Sequence, residues 1–167
     1  MRHSDSEEYA ADAEASQTIP TQCSALRKGE YVLLRQHPCK IVELSSSKPG
    51  KHGHAKINIT GLDMFTGKKF EDVFPAAKNV PVPVVIRKDY ELIMLSEDDI
   101  CSLLDIDVPE GYEIKELKLP TNGDLINRIR KAYESHPADD KKIIMLTVAR
   151  AMGQESIIGM KHKTCDH

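Results

Sequence analysis

The feature of this sequence that constrains the fold most is an alternation of apolar and polar side chains in the segment Ala55–Leu62. Apolar residues at 55, 57 and 59 alternate there with polar residues at 56, 58 and 60. A period of two is typical of a β-strand with one buried face. Further apolar, β-branched or aromatic runs lie close by, at Tyr31–Arg35, Cys39–Ser45 and Phe70–Phe74. Short strands at such close spacing predict a small β-barrel.

Two turns and a group of prolines divide this first half. A turn at Gln36-His37-Pro38 is predicted to separate the first two strands, and another at residues 65–68 precedes the strand at Phe70. Pro75, Pro81 and Pro83 are predicted to interrupt pairing and to mark a domain junction. The first barrel is therefore expected to span residues 21–83.

The second half, residues 84–167, has a different order of elements. Strands are predicted near Asp89–Leu95, Ile100–Leu104 and Tyr112–Lys118, followed by a helix at about Asp124–Glu134 that Thr121 would cap. Residues 142–149 and 155–161 are two further apolar segments, the last ambiguous between strand and helix. Three strands, a helix and two strands is the order of an OB-fold. The fold class is therefore mainly β, with two barrels and one helix.

Charge is distributed unevenly along the chain. Residues 1–20 hold one Arg and five acids, and residues 21–83 hold ten Lys or Arg and five acids. Residues 84–167 hold twelve Lys or Arg and sixteen acids. The formal net charge of -3 thus hides a basic middle between acidic ends. This pattern favours an anionic partner for the first barrel, and nucleic acid is the commonest large anion. Residues 1–20 themselves read as a disordered acidic tail.

Composition excludes several other classes of protein. No apolar run approaches the length of a membrane span, and the acidic N-terminus resembles neither a secretory signal nor a mitochondrial transit segment. We therefore expect a cytoplasmic protein without a membrane partner. The four cysteines lie far apart in sequence and form no Cys-x-x-Cys pair, so free structural thiols are expected.

The segment with the clearest functional character is Ser45–Lys56, which joins two predicted strands and must be a long hairpin loop. Gly50 and Gly53 lack a Cβ and leave space around Lys51 at its tip. With Lys48 and Lys56 nearby, the loop would present cations on a projecting finger.

Four interpretations of this loop compete. A phosphate-binding P-loop fails because Ser45 and His52 stand where that motif needs Gly and Ser or Thr, and because a strand follows. A metal site at His52 and His54 has no nearby Cys, Asp or Glu, so two solvated histidines are the better interpretation. A basic finger that contacts phosphates and a mobile polar loop tip remain open as the other two.

Cys39-Lys-Ile-Val-Glu, followed by Ser47-Lys-Pro-Gly-Lys51-His-Gly-His-Ala-Lys56, resembles the eukaryotic translation initiation factor 5A family, the hypusine-containing proteins. Residues 22–28, 65–72 and 123–125 carry further matches, and the resemblance covers roughly residues 20–160. It implies an SH3-like N-terminal barrel followed by an OB-fold. No catalytic constellation of side chains stands out, and a non-enzymatic role is expected.

The resemblance also implies a mechanism. Lys51 would be converted to hypusine by deoxyhypusine synthase, which transfers an aminobutyl group from spermidine, and then by deoxyhypusine hydroxylase. The modified factor would bind the ribosome beside the peptidyl-tRNA, promote peptide bonds at proline runs and aid termination. Apart from this modification no cofactor is expected, and a homodimer is left open. The neighbours expected to support modification and tRNA contact are Lys48, Pro49, Gly50, His52, Gly53, His54 and Lys56.

Three features depart from the family's usual pattern. Pro49 stands where Thr is expected and fixes φ in the loop. The turn at residues 137–140 looks longer than usual. At the end of the chain His162, Cys165 and His167 could be drawn as a metal site, but a frayed tail is the better interpretation. The alternative function is a two-barrel RNA-binding module that does not depend on lysine modification.

Overall fold

The protein, seen in a computed structural model, is mainly β and divides into two compact units at Val84 and Val85. The structure describes residues 17–48, 50, 53–108, 113–135 and 142–164. No helix in these ranges has the length and apolar character needed to cross a membrane.

The first unit contains six strands and a short 3₁₀ turn at Cys23–Ala25. A four-stranded antiparallel sheet has the order β2-β3-β4-β5, and β1 pairs separately with β6. Edge strand β2 lies close to both β5 and β6, so the sheet curls into a barrel. The strands are β1 (Thr18–Gln22), β2 (Tyr31–Leu34), β3 (His37–Ser47), β4 (Lys56–Asp63), β5 (Lys69–Pro75) and β6 (Asn79–Pro83).

The interior of this barrel follows the predicted alternation. Ile59 is fully buried on β4, while Asn58 beside it is exposed. A single apolar cluster fills the barrel, formed by Cys23, Leu26, Val32, Leu34, Cys39, Ile41, Ile59 and Val80. Burial of this set supplies most of the driving force for folding of the unit.

The predicted turn at Gln36-His37-Pro38 is wrong in position. The turn is Arg35-Gln36, with φ of 50° and 70°, and His37 and Pro38 already belong to β3. Two successive residues at positive φ match the twist of the flanking strands in a two-residue hairpin. Consequently Leu34 pairs directly with His37.

The prediction that prolines break pairing near residue 81 is also wrong, as is the end of the predicted tail. Pro81 and Pro83 lie in β6, and Thr18–Pro20, assigned to the tail, form β1 opposite them. Val84 N–H donates to Gln17 C=O at 2.8 Å, so 17↔84 is a hydrogen-bonded pair of this ladder. Hydrogen-bonded pairs alternate with pairs that are not hydrogen-bonded, so the next ones are 19↔82 and 21↔80. Every proline of the two strands falls on an intervening pair, where no N–H is required. Residues 1–16 lie outside the described ranges.

The second unit contains one five-stranded antiparallel sheet with the order β11-β10-β7-β8-β9. Lys115 on β9 pairs with Glu155 on β11 at 2.7 Å, so the two edge strands lie near each other and the sheet is curled towards a closed barrel. The segment that was ambiguous between strand and helix is β11. The strands are β7 (Ile86–Leu95), β8 (Ile100–Leu104), β9 (Ile114–Lys118), β10 (Lys142–Ala151) and β11 (Gln154–Thr164).

Between β9 and β10 lies helix α1 (Gly123–Ser135). Leu125 and Ile129 on its buried face pack into the core of the sheet with Leu103, Leu146 and Ile157. The predicted cap at Thr121 is wrong by one residue. The Asn122 side-chain oxygen accepts hydrogen bonds from the N–H groups of Asp124 and Leu125, because Asn122 directly precedes the first helical residue.

Candidate functional site

The β3–β4 hairpin carries the loop that the sequence singled out. The two strands pair from Cys39↔Asp63 to Ser47↔Lys56, with one shift of register between Ile41 and Glu43. The loop therefore spans residues 48–55 and is shorter than the predicted Ser45–Lys56. The last residues of β3, from Ser45 to Ser47, are exposed. The end of the hairpin therefore projects from the buried part of the barrel.

Gly50 and Gly53 define the far end of this loop. Gly50 has a φ of 73°, a conformation that costs glycine little and other residues more. The Gly53 N–H approaches the Gly50 C=O at 3.4 Å, so these two glycines lie close together. Among the described residues, no atom lies within 4 Å of a Cβ placed on Gly50.

Backbone hydrogen bonds fasten the base of the loop to the barrel. Ala76 N–H donates to Ala55 C=O at 2.9 Å, and Ser24 N–H donates to Ala76 C=O at 3.0 Å. The Arg27 guanidinium donates in turn to Ser24 C=O at 3.1 Å. Lys56 begins the middle strand of three, with Ser47 on one side and Pro75 on the other. The base of the loop is thus held from several sides.

The basic side chains at this end come from several parts of the chain. Lys48, His54 and Lys56 are exposed on or beside the loop. Lys78 lies in the turn fastened to the loop base, and its Nζ stands 5.9 Å from the centre of the Phe74 ring. Lys78 and Arg27 were not among the predicted site residues. Long-range backbone bonds bring them here, and no local pattern indicates those bonds.

A second group of cations lies at the opposite end of the same strands. Arg35, Lys68 and Lys69 line a recess of about 380 Å³ beside Phe70. The His37 ring stacks on Phe70 with centroids 4.2 Å apart, and its Nδ1 contacts Asp63 at 3.0 Å. The positive charge of the first unit is therefore shared between its two ends.

Lys51, Pro49 and His52 lie outside the described residues, as do Cys165 and His167 of the terminal tail. In place of the helix that a P-loop requires, β4 follows the loop. Within the described ranges, no group of three or more His, Cys, Asp or Glu side chains is placed to hold a metal ion.

The thiols of the described residues are buried and unpaired. Burial, with the nearby Asp63 carboxylate, raises the pKa of Cys39 to about 11. Burial, with Asp99, raises the pKa of Cys101 to about 11 as well. Burial also raises the pKa of Cys23. These groups stay protonated at neutral pH and are poor nucleophiles.

Comparisons with known proteins connect this geometry to a family. Residues 16–78 match the family model described as "Translation initiation factor 5A-like, N-terminal". Residues 84–161 match "Eukaryotic elongation factor 5A hypusine, DNA-binding OB fold". The chain is 48% identical over 164 residues to eukaryotic translation initiation factor 5A-1 of Caenorhabditis elegans, covering 97% of this chain and 96% of that protein. This chain belongs to the eukaryotic translation initiation factor 5A family.

Other members of the initiation factor 5A family agree in sequence and in structure. The factor 5A-2 of Medicago sativa is 44% identical over 154 residues, 92% of each chain. A factor 5A family structure from Naegleria fowleri superimposes with a TM-score of 0.70 at 42% identity, over 87% of this chain and 99% of that one. A factor 5A structure from Methanococcus jannaschii gives 0.66 at 28% identity, over 87% and 96%. The two-barrel fold is confirmed, and these relatives are translation factors.

Proposed function

We propose that this protein acts in the cytoplasm as a ribosome-binding factor that carries hypusine on Lys51. The modified side chain would contact the peptidyl-tRNA, promote peptide-bond formation at stalled sites such as proline runs, and aid termination. The observation that carries the proposal is the close approach of Gly50 and Gly53 in a loop on a fastened base, in a family whose second domain model is named for hypusine.

The chemistry of the modification suits such a loop. Lys51 Nζ would accept an aminobutyl group from spermidine through deoxyhypusine synthase, as a C–N bond of spermidine breaks and 1,3-diaminopropane leaves. Deoxyhypusine hydroxylase would then add a hydroxyl whose oxygen comes from O₂. The product is longer than lysine and holds two amines and a hydroxyl donor. A dication of that length can follow the backbone of the tRNA acceptor end, where contacts to phosphate and sugar position the RNA without reading its sequence.

The protein itself then breaks and forms no covalent bond. The ribosome supplies the peptidyl transfer, and the factor holds the tRNA end in a reactive orientation, which lowers the entropic part of the barrier. The roles proposed for the loop follow from its described geometry. Gly50 and Gly53 let the tip turn, and Lys48, Lys56 and Lys78 add positive charge at its base.

The proposal is tested by proline-run translation with three proteins: wild type, Lys51→Arg and Lys48→Arg. Arginine keeps the positive charge, but its guanidinium stays protonated and does not take up the aminobutyl group. We expect Lys51→Arg to lose nearly all stimulation, Lys48→Arg to stay near wild type, and both to melt normally, because exposed loop substitutions affect stability little. Full activity of Lys51→Arg would favour the RNA-binding module that needs no modified lysine.

A further inference from the structure

A cavity of about 440 Å³ lies in the second unit, between α1 and the β10–β11 hairpin. The register of the hairpin accounts for one wall. Ile144 pairs with His162, and Lys142 and Met160 each lie two residues from one of that pair, so all four side chains share one face. Because α1 packs against β11, this face forms one side of the cavity and the helix forms the other.

The helix wall is explained by its spacing. Arg128, Lys131 and Ser135 are three and four residues apart, so their side chains lie one above another along one face of α1. Two like charges that are neighbours on one face of a helix repel each other. An anion bound between them would remove that repulsion.

The cavity is strongly cationic in an acidic part of the chain. Arg128, Lys131 and Lys142 line it together with His162, although acids outnumber Lys and Arg over residues 84–167. Several other cations of this unit have carboxylate partners, as Arg130 has in Asp99 at 2.7 Å. Among the ion pairs of the described residues, none involves Arg128 or Lys131. Their charge is available to a ligand.

The remaining lining of the cavity is apolar. Ile144 is 1% exposed, and Ala132 and Met160 lie beside it. No aromatic side chain is among the described residues that line the cavity, so it offers no surface for stacking a base. The volume falls within the range of small-molecule sites.

We propose that this cavity binds a small phosphate monoester with a compact aliphatic body. Several cations at one place favour a doubly charged head group over a carboxylate, and the Arg128 guanidinium matches phosphate oxygens in a two-point contact. The aliphatic body lies on Ile144, Ala132 and Met160. This site belongs to the second unit and is independent of the Lys51 loop.

The test is calorimetric titration of the full chain at low salt with butyl phosphate and with inorganic phosphate. We expect butyl phosphate to bind about tenfold tighter or better, because its chain leaves water. The double substitution Arg128→Gln and Lys131→Gln should weaken both probes by about tenfold or more. Lys118→Gln, which removes an exposed cation of the same unit away from the cavity, is the matched control and should change neither. Met160→Gln should weaken butyl phosphate only.

Each of the other outcomes either contradicts the proposed site or identifies where its phosphate ligand comes from. Equal affinity for the two probes, no binding by folded protein, or binding that ignores the double substitution overturns the proposal. The proposal is also overturned if a single-stranded oligonucleotide is the one probe whose binding depends on Arg128 and Lys131. That result would make this face a nucleic-acid contact. Vesicles that contain phosphatidic acid distinguish the two sources of the phosphate. If the protein binds the vesicles and the double substitution abolishes that binding, the natural ligand is a lipid phosphate. If the protein binds butyl phosphate but not the vesicles, the natural ligand is a free metabolite.

Discussion

Gly61 on β4 is a position where one added methyl group tests the packing of the first barrel. A Cβ at Gly61 would lie 2.8 Å from Cys39 Cβ, 3.0 Å from Leu34 Cδ1 and 3.3 Å from the Lys40 carbonyl oxygen. Cys39 and Leu34 are fully buried, so neither can move into solvent. Overpacking of this kind costs about 1–3 kcal/mol, and the smaller entropy of the unfolded alanine chain offsets about 0.4–1 kcal/mol.

We therefore expect Gly61→Ala to lower the free energy of unfolding by about 1–2 kcal/mol, measured by urea denaturation with an unchanged m-value. Hydrogen exchange should place the loss in the first unit. Gly123→Ala is the control, since within the described ranges no atom beyond its chain neighbours and its own helix backbone lies within 4 Å of a Cβ placed there. It should leave stability unchanged or raise it by up to about 1 kcal/mol. Wild-type stability of Gly61→Ala would refute the packing described for β3 and β4.

Four further predictions concern the cap, the thiols, one carboxylate and the loop. Asn122→Ala should cost about 1 kcal/mol in thermal denaturation and Asn122→Asp much less, because aspartate keeps the capping oxygen. Since burial raises the pKa of Cys39 and Cys101 to about 11, peptide mapping should show slow alkylation of both in native protein at pH 8 or so and fast alkylation in urea. Hydrogen bonds from Lys161 and, to a smaller extent, Thr147 hold the pKa of Asp89 below its usual value. The stability that they contribute is present above about pH 4 and should be lost as the pH falls through the lowered pKa. The midpoint of urea denaturation should therefore depend less on pH in Asp89→Asn than in wild type. The affinity for single-stranded RNA falls as salt rises, and Lys56→Gln should make the slope of log affinity against log salt concentration shallower by about 0.7. An unchanged slope would show that Lys56 does not contact the RNA.

The elements that the sequence predicted well are those whose signal is local. Ile100–Leu104 is a strand with the predicted bounds, and α1 differs from its predicted range by one residue at each end. In both, an apolar pattern ends at polar residues, so neighbouring sequence alone sets the bounds.

The features that sequence missed depend on distant partners. Arg35 and Gln36 adopt positive φ without being glycine, so the tight turn has no local signal. Pro81 is tolerated in β6 because its partner is Pro20 on a pair that needs no N–H, which only the register decides. Lys78 reaches the loop base through a backbone bond between Ala76 and Ala55. The cationic cavity likewise needs α1 and β11 to meet.

The most direct measurement of the central claim is peptide mass spectrometry of this protein taken from the ribosome-bound fraction of its own cell. The account predicts that the bound protein carries one added aminobutyl group and one added oxygen, both on Lys51. Unmodified Lys48 in the same spectrum serves as the internal control. Ribosome-bound protein in which Lys51 is plain lysine, or in which another lysine carries the addition, would contradict the account.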